Sequence, residues 1–130
     1  MIVVDASVVV DVLTGAPGAS RLRGRLFTAT ASLHAPHLLD LEVLHVLRRF
    51  ERRGMLDRAR ASEVVEDLLD LPLTRYPPDP FASRIWELRG ALTAYDAAYV
   101  ALAEALGAPL LTRDAALGAT RGHRARVEVV

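Results

Sequence analysis

Short apolar runs alternate along the chain with longer stretches whose apolar residues recur every three or four positions. The first run, Ile2 to Asp5, reads as a buried strand, and Ser7 is placed to cap a helix over Ser7 to Leu13 that Gly15 and Pro17-Gly18 stop. Val8-Val9-Val10 opposes that helix on propensity, so it needs tertiary burial to form. Arg21 to Phe27 predicts a second helical piece and Ala31 to Ala35 a second strand. Pro36 then opens a long helix to about Arg53, ended by Gly54, with Leu39, Val43, Val46, Leu47 and Phe50 on one face and Glu42 on its margin.

Asp57 to Leu71 carries Val64, Val65, Leu68, Leu69 and Leu71 at helical spacing, and Leu73 to Tyr76 is a brief strand closed by Pro77-Pro78. Phe81 to Leu92 is amphipathic through Ile85, Leu88 and Leu92. Thr93 opens an alanine-rich helix to Leu106, stopped at Gly107. A strand Leu110 to Thr112, a helical turn near Ala115 to Leu117 and a last strand Val127 to Val130 complete the pattern. Strands alternating with helices predict an α/β fold: a central parallel sheet of about four to five strands flanked by helices on both faces.

The length of 130 residues allows one domain, and 52% hydrophobic with 25% charged residues describes a globular chain. The absence of cysteine excludes disulfides and thiolate ligands, so a bound metal would be hard and held by oxygen or imidazole. No apolar stretch approaches a membrane span and no basic segment precedes the first strand, so a soluble, cytoplasmic protein with no membrane partner is expected. Basic and acidic residues cancel at sixteen each, and every basic residue is arginine. Arginine suits bidentate phosphate contact, although a GC-rich genome accounts for it equally well. Missing lysine excludes a Walker A loop, a receiver-domain switch lysine and a Schiff-base lysine.

Against that background four acids stand out: Asp5 and Asp114, just past apolar strands, and Glu42 and Asp96, in the openings of helices. In a parallel α/β sheet such positions converge outside the carboxyl ends of the strands. Each has an ordinary alternative. Asp5 could accept amides of the next helix, and Glu42 could be a solvated helix residue. Asp96 fits a capping box with Thr93, and Asp114 could be a turn residue. Together, however, clustered carboxylates cannot all stay ionised without a cation, and oxygen ligands in that number suit Mg²⁺. A phosphoaspartate mechanism is disfavoured because Ser7 stands where a second aspartate is needed.

The chain resembles a PIN-domain protein of the VapC toxin type. The matching pieces are Val3-Val4-Asp5-Ala6-Ser7, then Pro36-His37-Leu38 through Leu41-Glu42-Val43 and Leu47-Arg48-Arg49. Thr93-Ala94-Tyr95-Asp96-Ala97-Ala98-Tyr99-Val100-Ala101-Leu102-Ala103 and Leu111-Thr112-Arg113-Asp114 follow in family order. The resemblance covers essentially the whole chain and implies one PIN domain over residues 1–130. It further implies an endoribonuclease using Mg²⁺ (Mn²⁺ possible), an RNA substrate, a cognate VapB-type antitoxin and a homodimer. Carried over by position, Asp5 and Asp96 would be the main metal ligands, Glu42 and Asp114 would complete the cluster, and Ser7 and Thr112 would support it. Asp11 and Asp40 stay outside. The rival reading is a non-catalytic RNA- or antitoxin-binding domain; a weaker one is a metal-dependent DNA nuclease or phosphatase.

An acidic site repels RNA unless cations flank it. Arg48, Arg49, Arg52 and Arg53 close the long helix, where charge at a helix C-terminus explains them better than RNA does. Arg121, Arg124 and Arg126 form a second patch. Arg113, beside Asp114, is the first arginine to test for RNA contact. His34, His37, His45 and His123 have no ligand spacing, and Trp86 reads as core or dimer surface and not as a base-stacking platform.

Overall fold

The computed structural model describes residues 1–130. Five parallel strands, β1 (Ile2–Val4), β2 (Leu33–Pro36), β3 (Leu73–Tyr76), β4 (Leu110–Thr112) and β5 (Val127–Val129), stand in the order β3-β2-β1-β4-β5. The chain builds outward from β1 to β3, then returns across the sheet to place β4 on the other side of β1. Because crossovers between parallel strands are right-handed, this reversal sends helices to opposite faces and opens a crevice between β1 and β4. Asp5 follows β1 directly, and Asp114 lies two residues past the end of β4.

Helices α1 (Ala6–Thr14), α2 (Ala19–Leu26), α3 (Leu38–Arg52) and α4 (Arg58–Asp70) pack on one another, while α5 (Ala82–Glu87) packs on α6 (Ala94–Leu106); α7 (Ala115–Ala119) joins β4 to β5. Val8, Val9 and Val10 lie in α1, fully covered by this packing. Three β-branched residues cost a helix ~0.5 kcal/mol each, against ~1.5–3 kcal/mol recovered by burying each valine, so burial wins. Helix α6 is buried continuously from Ala97 to Ala103, as an all-apolar helix at the centre of a fold must be.

Three local expectations are corrected. Ser7 does not cap α1: Asp5 occupies the N-cap position, and the Ser7 hydroxyl is spent elsewhere. Pro36 does not open α3 but ends β2, where β1 no longer pairs with it and the missing amide costs no ladder bond on that side. Phe81 to Leu92 is not one helix. It comprises a 3₁₀ turn (Asp79–Phe81), α5 and a second 3₁₀ turn (Leu88–Gly90), with Pro80 at the start and Gly90 at the end limiting its run. No helix is long and apolar enough to cross a membrane.

Candidate active site

The four acids reach one edge of the sheet from four different segments. Asp5 leaves β1 in extended geometry at the start of α1, with its amide still bonded to the Leu111 carbonyl of β4 at 3.0 Å. Glu42 lies in the second turn of α3, Asp96 in the first turn of α6, and Asp114 caps α7 after β4. Their charges act on one another: Glu42 experiences Asp5 and Asp96, while Asp96 experiences Asp5 and Asp114. The crevice at the strand reversal thus gathers all of them.

What donates to each carboxylate separates a capping role from another one. Asp5 makes no side-chain bond to the α1 amides. Its Oδ2 instead accepts from the Ser7 hydroxyl at 3.1 Å and the Thr112 hydroxyl at 2.5 Å, and neither hydroxyl donates to Oδ1. Both hydroxyls are held in turn, since the Arg113 amide donates to Ser7 Oγ and the Asp114 amide to Thr112 Oγ1, both at 3.0 Å. Thr112 is fully buried, so this scaffold has little freedom. The capping explanation of Asp5 therefore fails.

Asp96 lies three residues after the N-cap Thr93, whose hydroxyl accepts the Asp96 amide at 3.2 Å. The reciprocal half of a capping box, from the Thr93 amide to the Asp96 carboxylate, is not made. Glu42 is no solvated helix residue either: it is half-buried, and its Oε1 accepts the Tyr99 hydroxyl at 2.7 Å. Asp114 keeps its ordinary role in part, with Oδ1 accepting the Ala116 and Leu117 amides at 2.8 and 3.3 Å. For Asp5, Glu42 and Asp114, protein donors thus engage one oxygen and leave the other.

Burial, followed by the charges of Asp5 and Asp96, raises the proton affinity of Glu42 above the usual carboxylate range against the pull of the Tyr99 hydrogen bond. Asp96 is raised by burial first and by Asp5 and Asp114 next. Like charges held at a half-buried edge make a strong demand for a cation. The donor set is all oxygen, which fits a hard divalent ion. No three of the side chains converge into a compact all-protein cluster. An all-oxygen donor set suits Mg²⁺, which retains several waters and takes only one or two carboxylates directly.

Asp11 and Asp40 stand apart from the cluster: Asp40 takes Arg75 in a fork at 2.7 and 3.0 Å, and Asp11 takes Arg113 Nε at 2.5 Å. Arg113 also donates to the Val130 carbonyl at 2.6 Å, so its guanidinium braces α1 and the chain after β5 and is not free for phosphate. His34 is a buried structural group between Ser32 and Tyr76. Tyr99 was not singled out by sequence. Its place three residues after Asp96 puts both on one helix face, but its partner Glu42 lies 57 residues away.

Comparison with known proteins agrees with this arrangement. A family model described as "PIN domain" matches residues 2–122. Ribonuclease VapC12 of Mycobacterium tuberculosis is 41% identical over 134 aligned residues, covering 100% of this chain and 99% of that protein. Ribonuclease VapC9 of the same organism is 42% identical, covering 100% and 98%. Among solved structures, PAE2754 from Pyrobaculum aerophilum superposes with a TM-score of 0.67 at 28% identity, over 98% of this chain and 83% of that one. VapBC2 from Rickettsia felis, bound to a promoter DNA fragment, gives 0.69 at 12% identity and 98% of both chains, a likeness of fold alone. The chain therefore belongs to the PIN-domain family, in its VapC ribonuclease branch.

Proposed function

We propose that this protein is a metal-dependent endoribonuclease toxin that hydrolyses RNA phosphodiesters and is neutralised by a cognate VapB-type antitoxin. The observation that carries the reading is the half-engaged state of the acids: Asp5 Oδ1, Glu42 Oε2 and Asp114 Oδ2 are left without protein donors at an edge where like charges already crowd. A plain cap such as Asp57 also engages a single oxygen, so what separates these acids from caps is the crowding of their charges, Asp5 and Asp96 acting on Glu42, and Asp5 and Asp114 on Asp96. Asp5 and Asp96 are the residues to hold Mg²⁺ or Mn²⁺, with Glu42 and Asp114 completing the shell directly or through water. When bound there, such an ion acidifies water and stabilises charge building on a phosphoryl oxygen during in-line displacement. Ser7 and Thr112 fix the Asp5 rotamer, so its free oxygen needs no reorganisation. Val4 and Ala97, the chain neighbours of Asp5 and Asp96, are fully buried, so the backbone that carries the two acids is shielded from solvent.

The test is to incubate the purified, partner-free chain with structured RNAs in Mg²⁺, Mn²⁺ or EDTA. Cleavage is expected with either ion and not with EDTA. RNA bound without cleavage under every condition would favour the interaction-domain reading, and cleavage that survives EDTA would refute the metal mechanism.

The homodimer is proposed at the α5–α6 face. Trp86 is 67% exposed there and Tyr95 66%, so Trp86 is not core. They line an apolar cavity of about 430 Å³ with Leu38, Ala82 and Ile85, and the Arg89 guanidinium lies 4.4 Å from the Trp86 ring centroid. Large exposed apolar side chains grouped in this way mark an association surface. We favour a second copy because the face adjoins the acidic edge through Tyr95-Asp96 and through Leu38, one turn before Glu42. Light scattering should give a dimer for the wild type and a monomer for Trp86→Arg; a monomeric wild type would refute the assignment.

A further inference from the structure

We propose that Tyr99 is a positioning residue for the acidic site, its core-anchored hydroxyl holding the Glu42 carboxylate so that Oε2 stays free for the site. The inference deepens the nuclease reading and rests on it for what the site does. A glutamate on an exposed helix has three rotatable side-chain bonds and adopts many orientations. Glu42 is restrained because Tyr99, which is 1% exposed and has only two such bonds, meets its Oε1 at 2.7 Å. That length is normal for a strong hydroxyl–oxygen bond and favoured when the acceptor is ionised.

The direction of the bond follows from the chemistry of the pair: an ionised carboxylate can only accept, so the phenol donates its one proton to Glu42. One phenol therefore links α6, one turn beyond Asp96, to α3 at Glu42. These are two of the four segments that build the site. Phenylalanine at this position would preserve the packing of α6 and release Glu42.

Tyr99→Phe is the test, read first without RNA. Calorimetric titration with Mn²⁺ alone should give a dissociation constant weakened by about ten- to hundredfold, the range for losing a hydrogen bond to a charged group. With RNA, kcat should fall comparably while KM for RNA holds, a split that mere loosening of the core would not produce. In a Glu42→Ala background Tyr99→Phe should have no further effect on either quantity. Mn²⁺ affinity and kcat within twofold of wild type, or an equal loss in the Glu42→Ala background, would overturn the role. Should Tyr99→Phe not fold, 3-fluorotyrosine in place of Tyr99 alone keeps the ring and alters donor strength; unchanged Mn²⁺ affinity would then count against the proposal. Wild type that binds Mn²⁺ without cutting RNA would refute the nuclease reading, and the affinity comparison would still decide for Tyr99. Wild type that binds no Mn²⁺ would overturn both.

Discussion

Asp96→Asn is expected to lower RNA cleavage by about 10³-fold or more while leaving the fold as stable as wild type, or more stable. The activity estimate follows from charge: stabilisation by a metal site is worth several kcal/mol, and every ~1.4 kcal/mol is tenfold in rate. The stability estimate follows from the site's crowding. Burial and the charges of Asp5 and Asp114 raise the Asp96 pKa, so its ionised form is disfavoured in the fold. For such a group the folded pKa lies above the unfolded one, and the protein loses stability as pH rises from the ordinary carboxylate value through the raised one. At neutral pH the charge is therefore a burden, which the neutral amide removes. Thermal melts taken from the ordinary carboxylate value, about pH 4, up to pH 7 should show the wild type losing more than Asp96→Asn as pH rises. Adding Mn²⁺ should then raise the wild-type melt and leave the variant's where it is, because only the protein that binds the ion is stabilised by mass action.

The same substitution decides the capping alternative. A cap tolerates asparagine at a cost of a few tenths of a kcal/mol, and Thr93 already occupies the N-cap. Cleavage within tenfold of wild type in Asp96→Asn would return that residue to a structural role. Asp5→Asn should match it in activity and differ in stability, since Asp5 Oδ2 is the shared acceptor of Ser7 and Thr112 and an asparagine can rotate its nitrogen toward donors.

Legibility from sequence followed the range of each interaction. The alternating apolar runs gave the parallel sheet, and Thr93 with Gly107 bounded α6 at the residues seen in the structure, because caps and stops are local. Pro36 misled because a proline that suits a helix start also suits a strand end once the neighbouring strand has stopped pairing, and that depends on register. The four acids could be joined because strand ends and helix starts share an edge in any such sheet. Why Asp5 is not a cap could not be read, since its donor Thr112 lies 107 residues away. The surroundings of Arg113 were hidden for the same reason: adjacency to Asp114 is visible in the sequence, whereas its bond to Asp11, 102 residues away, is not. Tyr99 could not be singled out either, since its partner Glu42 lies 57 residues away.

Glu104→Gln carries the largest stability loss expected for a charged residue, and its pH dependence runs opposite to that of the acidic edge. The Glu104 carboxylate, 6% exposed, accepts Arg84 at 2.8 and 3.0 Å and the Arg124 amide at 2.8 Å, tying α5, α6 and the segment before β5 together. Arg84 holds its pKa down from 4.5 to about 2. A group depressed in this way contributes stability above its unfolded pKa and loses it as pH falls through the folded one, here between about 4.5 and about 2. At ~1.4 kcal/mol per unit, discounted because Arg84 is partly solvated, the contribution is about 2–3 kcal/mol. The melting temperature of Glu104→Gln at pH 7 should fall by roughly 10 °C, and the gap should close as both proteins approach pH 2. Cleavage well below the melt should stay within about twofold of wild type, because Glu104 lies about 12 Å along α6 from Asp96, at ~1.5 Å per residue. A loss of cleavage like that of Asp96→Asn with the melt intact would instead place Glu104 in the chemistry, and the lock between α5 and α6 would then not be its main role.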